Sequence, residues 1–207
     1  DELVVTLGLR ALRYALDAPG SAPLFALLVP NLTFEKLIAG RPQAGRHRAV
    51  SALFLDQPFS RQLQLIRLAL PAAKRVGVLV GSATESQAGA LKEAGRETGL
   101  DVRIHAIDNR DQLFAALNDL AREVDVLWLL PDPQVVSGET LRGLFLQTYR
   151  LRLPIVAYAA SMVQAGATLG LYATPAQMGS EAGIWIREMY GEKPASEATT
   201  RFPQRYT

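Results

Sequence analysis

The sequence contains no cysteine and only two histidines among its 207 residues. The lack of cysteine excludes disulfides, thiolate metal sites and a cysteine nucleophile. His47 lies in a basic segment and His105 in a half-exposed strand pattern, and neither has a second histidine at metal-ligand spacing. For both histidines the favoured interpretation is a solvated surface residue, so we expect no bound metal and no cofactor.

Long apolar runs and a strong net charge are also missing. No apolar run reaches the roughly 18 residues of a membrane span, and the N-terminus lacks the basic start and apolar stretch of a signal peptide. Lys and Arg number 22 against 20 Asp and Glu, so the formal charge is only +2. The densest basic cluster has no aromatic residues within it, which predicts a solvated loop rather than a nucleic-acid surface. Its members are Arg41, Arg46, His47 and Arg48.

Motifs for phosphate, dinucleotide and nucleophilic chemistry are absent. The sequence has no GxGxxG, no GxxxxGK[ST] and no GxSxG. Asp56 and Asp132 both follow apolar runs and could form an acid–base pair. Without a nucleophile or a metal cluster, the simpler use for these carboxylates is to bind an amine of a ligand. We therefore predict a binding protein and not an enzyme.

What the sequence does contain is a strand-then-helix pattern that recurs about six times. Each unit opens with an apolar run, which predicts parallel strands buried on both faces by helices. The six runs are residues 3–8, 24–30, 51–56, 76–81, 124–130 and 154–158. Further strands are predicted at residues 100–107, near a sheet edge, and at 168–173 and 201–206. Helices are predicted at residues 9–16, 34–39, 61–70, 86–98, 111–123, 139–150, 160–165 and 176–190, with Gly99 and Gly191 as stop signals.

Polar side chains follow most of these predicted strands. Parallel sheets bind ligands beyond the carboxyl ends of their strands, and helix N-termini there supply free N–H donors. The alternative role for any one of these side chains is to cap a helix. The candidate ligand-binding residues are Thr6, Gly8, Asn31, Asp56, Ser82, Thr84, Glu85, Asp132, Tyr158 and Thr174.

The chain divides most naturally near residues 71–76, where a polar segment with a proline separates three strand units from the rest. Residues after Tyr158 then supply another strand and a long helix. Since the first block is short of elements, we expect this later material to return to it. The predicted organisation is therefore two α/β lobes connected by more than one crossing.

The order of several motifs resembles a known family. The motifs are Val4 to Leu12, Leu55-Asp56-Gln57-Pro58 with Arg61-Gln62 and Leu65-Ile66, Lys74 to Leu79, Val124 to Leu127 with Asp132, Leu153 to Val156, Gly166-Ala167, Met178-Gly179 and Gly191-Glu192-Lys193-Pro194. In this order they are similar to the substrate-binding proteins of ABC transporters, of the uncharacterised and aromatic-amino-acid types. The resemblance implies a type I periplasmic-binding-protein fold, in which two Rossmann-like lobes with parallel sheets close on a small ligand and a membrane permease recognises the closed form.

The resemblance also implies domain limits, partners and a location. Residues 1–73 and 168–198 would form the first lobe, and residues 74–167 and 199–207 the second. The ligand contacts would fall on the strand-end loops that hold the candidate residues. The expected location is the periplasm or another extracytoplasmic space, and the expected partners are a small solute and an ABC permease, with no nucleic acid. The alternative is a ligand-sensing or assembly module of the same fold.

The sequence departs from the family pattern at three places. Relatives usually have two more strand–helix units before the strand at Val4, so the first lobe is expected to be incomplete and to form a homodimer through its open edge. Pro131-Asp132-Pro133 lacks the asparagine that amino-acid binders tend to have there. Thr174-Pro175 replaces an acidic and aromatic pair, which removes another ammonium partner.

Overall fold

The computed structural model describes residues 3–41, 48–190 and 198–207. The described strands are β1 Val4–Leu7, β2 Leu24–Val29, β3 Val50–Phe54, β4 Arg75–Val80, β5 Asp101–Ala106, β6 Val126–Trp128, β7 Ile155–Ala157, β8 Leu169–Gly170 and β9 Thr200–Arg201. The helices are α1 Gly8–Asp17, α2 Asn31–Ala39, α3 Phe59–Ala69, α4 Ala88–Thr98, α5 Leu113–Leu120, α6 Leu141–Arg150, α7 Ala160–Gln164 and α8 Pro175–Tyr190. The chain separates into unit 1, Asp1–Gln57 with Ala173–Thr207, and unit 2, Pro58–Tyr172.

Unit 1 is built on a four-stranded parallel sheet in the order β1-β2-β3-β9. Alternate side chains of β2 point to opposite faces, as the period of a strand requires. Leu24 and Ala26 pack in one cluster with Leu12 of α1, whereas Phe25 and Leu27 pack with Trp185 of α8 in another. The sheet therefore has a hydrophobic core on each face, as predicted for a doubly covered parallel sheet.

Unit 2 is built on a five-stranded parallel sheet in the order β5-β4-β6-β7-β8. Trp128 at the end of β6 is fully buried, and its indole N–H donates to Gln62 Oε1 at 2.9 Å. The helix α4 ends at Gly99, whose φ of 71° is the left-handed cap predicted for it. The strand β5 lies at a sheet edge and is half exposed, as predicted.

An aspartate fixes the other end of the unit 2 sheet, where the strands begin. Asp125 Oδ2 accepts hydrogen bonds from the backbone N–H groups of Lys74 and Arg75 at 2.9 and 2.8 Å. The Arg75 guanidinium also donates to Asp125 Oδ1, at 2.6 Å. This hydrogen bond and the two backbone donors hold the pKa of Asp125 well below its usual range. The carboxylate therefore connects the starts of β4 and β6.

The unit limits differ from the predicted domain limits. The helix α3 packs its buried Leu63 and Ile66 in a cluster with Leu91 of α4, so it belongs to unit 2 and the division lies at Pro58 instead of near residue 74. The strand β8 pairs with β7 and also belongs to unit 2. The prediction that residues 199–207 join the second lobe is wrong, because Thr200 and Arg201 pair with β3 of unit 1.

The expectation that every apolar run is buried on both faces is wrong for β1. Val4, Val5 and Leu7 are 37%, 45% and 63% exposed, because β1 is an edge strand whose pairing in the described sheet is with β2 alone. In the predicted basic loop, Arg48 donates to the carbonyls of Ala15, Ala18 and Gly20. Arg46, His47 and the predicted helix stop at Gly191 lie outside the described residues.

Candidate functional site

Four of the sequence-predicted residues lie at the carboxyl edge of the unit 1 sheet. Thr6 is the third residue of β1, Gly8 begins α1, Asn31 begins α2 and Asp56 follows β3. Parallel neighbours end at the same edge, so topology brings these positions together. Asp56 Oδ1 accepts a hydrogen bond from the Asn31 backbone N–H at 2.7 Å, which places a carboxylate at the N-terminus of α2.

Two oxygen atoms at this edge are buried and have no hydrogen-bond partner in the described part of the chain. They are the Thr6 hydroxyl oxygen and the Asn31 side-chain oxygen Oδ1. Thr6 is only 4% exposed. A buried polar group without a partner costs about 1–3 kcal/mol, so each such group in a folded protein calls for an explanation. A ligand that donates hydrogen bonds would satisfy both.

The Asp56 carboxyl has a raised pKa. Burial is the largest cause, since it disfavours the charged form, and Glu35 adds like-charge repulsion. The hydrogen bonds from the backbone of Asn31 and of Asp56 itself act in the opposite direction. A positively charged ligand group would lower the pKa of Asp56 again, because it would stabilise the negative charge that burial disfavours.

Gly8 provides open space next to these groups. Its φ of 81° lies in the left-handed region, and a Cβ added there would meet nothing within 4 Å. Glycine is therefore favoured at this position by its backbone angle rather than by crowding. The backbone at the start of α1 is consequently accessible from the carboxyl edge of the sheet.

Unit 2 has its own group of predicted residues at the carboxyl edge, organised by Asp132. This residue is completely buried. Its Oδ2 accepts hydrogen bonds from the backbone N–H of Gly81 at 2.9 Å and of Thr84 at 3.1 Å, and from the Thr84 hydroxyl at 2.8 Å. Its Oδ1 accepts from the Gln134 N–H at 2.8 Å. The carboxylate thus ties the loop after β4 to the loop after β6.

Gln134 was missed by sequence reasoning and belongs to the same network. Its Oε1 accepts a hydrogen bond from the Ser82 N–H at 2.6 Å, and its Nε2 donates to the Asp108 carbonyl at 2.8 Å. It therefore connects the loops that follow β4, β5 and β6. The only sequence signal for it was its place two residues after Asp132, behind the second proline of Pro131-Asp132-Pro133.

Tyr158, Ser82 and Glu85 complete the predicted set in unit 2. Tyr158 follows β7 and is half-buried, and burial together with the negative charge of Asp132 raises its pKa to about 12. Its phenol is therefore neutral at pH 7 and available as a hydrogen-bond donor. Ser82 and Glu85 are exposed in the loop after β4.

Thr174 serves as a helix cap. Its hydroxyl accepts a hydrogen bond from the Gln177 N–H at 3.2 Å, and Gln177 Oε1 accepts from the Thr174 N–H at 2.8 Å. This reciprocal pair is a capping box, and Pro175 follows at the first position of α8. The alternative that these loop residues cap helices thus holds for Thr174.

The described residues contain no group of three or more metal-ligating side chains of the His, Cys, Asp and Glu types. None of their helices has the length and apolar character needed to cross a bilayer.

A family model described as ABC transporter substrate binding protein matches residues 48–204. The chain belongs to this family. The family that the sequence motifs resemble is therefore confirmed, and so is the predicted α/β fold with two parallel sheets. This is a family of extracytoplasmic binding proteins whose partners are a small-molecule ligand and an ABC permease.

Solved structures agree with the family in fold. A Streptococcus pneumonia ABC domain in complex with L-Trp is 18% identical with a TM-score of 0.66, covering 99% of this chain and 71% of that one. A ligand-free, open substrate-binding protein with adhesive properties from Clostridium difficile is 18% identical with a TM-score of 0.76, covering 99% and 69%. A conserved domain protein from Vibrio cholerae is 19% identical with a TM-score of 0.66, covering 99% and 70%. No curated protein matches the sequence.

Proposed function

We propose that this chain is the solute-binding component of an ABC importer and that its ligand is a small polar solute carrying a protonated amine. The observation that carries the proposal is the acceptor group at the carboxyl edge of the unit 1 sheet. It consists of two buried oxygens without partners, on Thr6 and Asn31, and the carboxylate of Asp56. We name these three residues the acceptor group.

An ammonium group suits this chemistry because it has three N–H donors and no acceptor. One donor pairs with the Asp56 carboxylate as a charge-assisted hydrogen bond, and the others reach Asn31 Oδ1 and Thr6 Oγ1. A carboxylate or phosphate end of a ligand is disfavoured here, since it would meet a buried negative charge. Gly8 leaves space for close approach of the ligand to the backbone.

In unit 2 the predicted residues take two different roles. Ser82, Glu85 and Tyr158 are the residues that contact the ligand, because they are exposed or half-buried at the loop ends. Asp132 and Thr84 position these loops, because the Asp132 carboxylate already accepts four hydrogen bonds. Ligand binding is completed by hinge closure of the two lobes.

An amino acid is the first class of solute to test. The Streptococcus pneumonia relative is described in complex with L-Trp, which carries the required amine. The two departures of this sequence from amino-acid binders, at residues 131–133 and 174–175, make other amines equally important. The test panel therefore includes amino acids, purine-like compounds, small carboxylates and simple cations.

Thermal unfolding tests the proposal, since a ligand that binds only the folded state raises the midpoint. We expect an amine-bearing class to shift the midpoint of the wild type and not of Asp56→Asn, which keeps an acceptor for the Asn31 N–H but lacks the charge. Asp108→Asn, a change at an exposed aspartate of unit 2, is the matched control and should keep the shift. A shift by small carboxylates alone, or by no compound, contradicts the proposal.

We also propose a homodimer formed through β1. The strand is a sheet edge with exposed apolar side chains at Val4, Val5 and Leu7. Such an edge offers unpaired backbone groups to a second copy, which can pair antiparallel about a two-fold axis. Sedimentation should give a dimer that Val5→Lys dissociates, whereas Tyr14→Lys on α1, a change at a tyrosine 80% exposed, should leave the dimer intact. A monomeric wild type contradicts this partner.

A further inference from the structure

The strand β2 breaks its side-chain alternation at Leu28. Leu27 pairs with Leu53 of β3, yet Val29 pairs with Phe54, the very next residue, so Leu28 is an extra residue opposite no partner. This is a β-bulge. Leu28 has a φ of 58°, and a bulge residue with such a positive φ is usually glycine. A leucine in the left-handed region is strained, because its Cβ crowds the backbone.

The bulge changes which side chains reach the core. Along a regular strand, Leu28 would follow Leu24 and Ala26 onto one face, and Val29 would lie on the other. Instead Val29 is fully buried in the same cluster as Leu24 and Ala26. The extra residue has therefore moved Val29 into that core and left Leu28 outside both clusters of the sheet.

The Leu28 side chain is more exposed than the other side chains of β2. Leu28 is 37% exposed in a strand whose other five residues are all buried. A glycine would form the same bulge without strain, so the backbone alone does not call for leucine. Leu28 also lies three residues before Asn31, at the carboxyl edge of the sheet that holds the acceptor group. Strained, exposed residues of this kind concentrate at ligand sites.

We propose that Leu28 is a specificity-determining residue that contacts the nonpolar part of the ligand while the acceptor group holds its amine. This inference rests on the proposed function and narrows its ligand to amines with an apolar group. The strained bulge keeps the leucine at the ligand edge of the sheet instead of in the core. Small amines without an apolar group gain nothing from this contact.

Calorimetric titration of the wild type, Leu28→Ala and Leu28→Gly with L-tryptophan, L-phenylalanine, L-leucine and glycine tests the inference. We expect both variants to weaken binding of the apolar amino acids by about tenfold, as the loss of one apolar contact does. The affinity for glycine, where measurable, should change by less than about twofold. Leu68→Ala on α3, a change at a leucine 76% exposed, is the surface control and should leave all affinities unchanged.

Thermal unfolding separates the ligand contact from the strain. Leu28→Gly should melt about 2–4 °C above Leu28→Ala, because glycine relieves the left-handed backbone and alanine does not. If the wild type binds the apolar amino acids and Leu28→Ala binds them with the same affinity, the proposed role of Leu28 is wrong, and the proposed function still stands. A wild type that binds none of the four amino acids overturns the ligand class named here, and the wider panel then decides the proposed function separately.

Discussion

Removing the carboxylate of Asp132 should strongly destabilise unit 2. In Asp132→Ala, four donors lose their acceptor: the backbone N–H groups of Gly81, Thr84 and Gln134, and the Thr84 hydroxyl. Hydrogen bonds to a charged group contribute about 1.5–3 kcal/mol each, but they are not additive and the loops can relax toward water. We therefore expect a loss of about 3–5 kcal/mol in the free energy of unfolding, as for breaking a buried ionic contact.

Urea denaturation followed by tryptophan fluorescence measures this loss. Trp128 is buried in the core of unit 2 and reports on its unfolding. Asp108→Ala is the control, because that aspartate is exposed and only its backbone carbonyl takes part in the network. If Asp132→Ala does not fold, Asp132→Asn retains one acceptor oxygen and should lose about 1–3 kcal/mol. A loss below about 1 kcal/mol in both variants refutes the structural role of Asp132.

Two further predictions concern pH. Asp125→Asn should lower the free energy of unfolding by about 1–2 kcal/mol at pH 7, because it removes the negative charge that strengthens two backbone hydrogen bonds. Because the pKa of Asp125 is lowered in the folded state, this contribution to stability is complete above the unfolded pKa near 4 and declines as the pH falls below it. Urea denaturation of the wild type and Asp125→Asn at pH 7 and pH 3 measures the decline. An equal loss of unfolding free energy at both pH values would contradict the account. The pKa of Asp56 is raised in the folded state, so ionisation of this carboxyl opposes folding above that pKa. The affinity for an amine, measured by calorimetry, should fall as the pH drops through the folded pKa of Asp56. An affinity independent of pH between 7 and 4 would argue against an ionised Asp56 in the site.

The strands and helices were largely predictable because burial leaves a periodic record in the sequence. The apolar run at residues 24–30 became β2, and the pattern at residues 61–70 became α3. The position of Asn31 and Asp56 at one edge of the sheet was also predictable, since polar residues that follow buried strands of a parallel sheet lie at the same edge. The prediction of their ligand contacts stays a prediction until a ligand is bound.

Other features were not readable because they depend on contacts between distant segments. The bulge at Leu28 is hidden in a uniformly apolar run, which shows no alternation to break. The helix α3 belongs to unit 2 because it packs on α4. The proline-containing segment at residues 71–75 indicated a division after α3 instead of before it. Gln134 acts through two hydrogen bonds to distant loops, and no local pattern marks such a role. The burial expected for β1 failed because composition does not show whether a strand lies at an edge.

The most direct test of the central claim is a matched comparison of amines with analogues that lack the amine. The wild type and Asp56→Asn are titrated calorimetrically with L-tryptophan, L-phenylalanine and L-leucine, and with indole-3-propionate, 3-phenylpropionate and 4-methylpentanoate. The account predicts that at least one amino acid binds the wild type, that its analogue binds at least about a hundredfold more weakly, and that Asp56→Asn loses this difference. Equal binding of an amino acid and its analogue, or a difference that survives in Asp56→Asn, would contradict it.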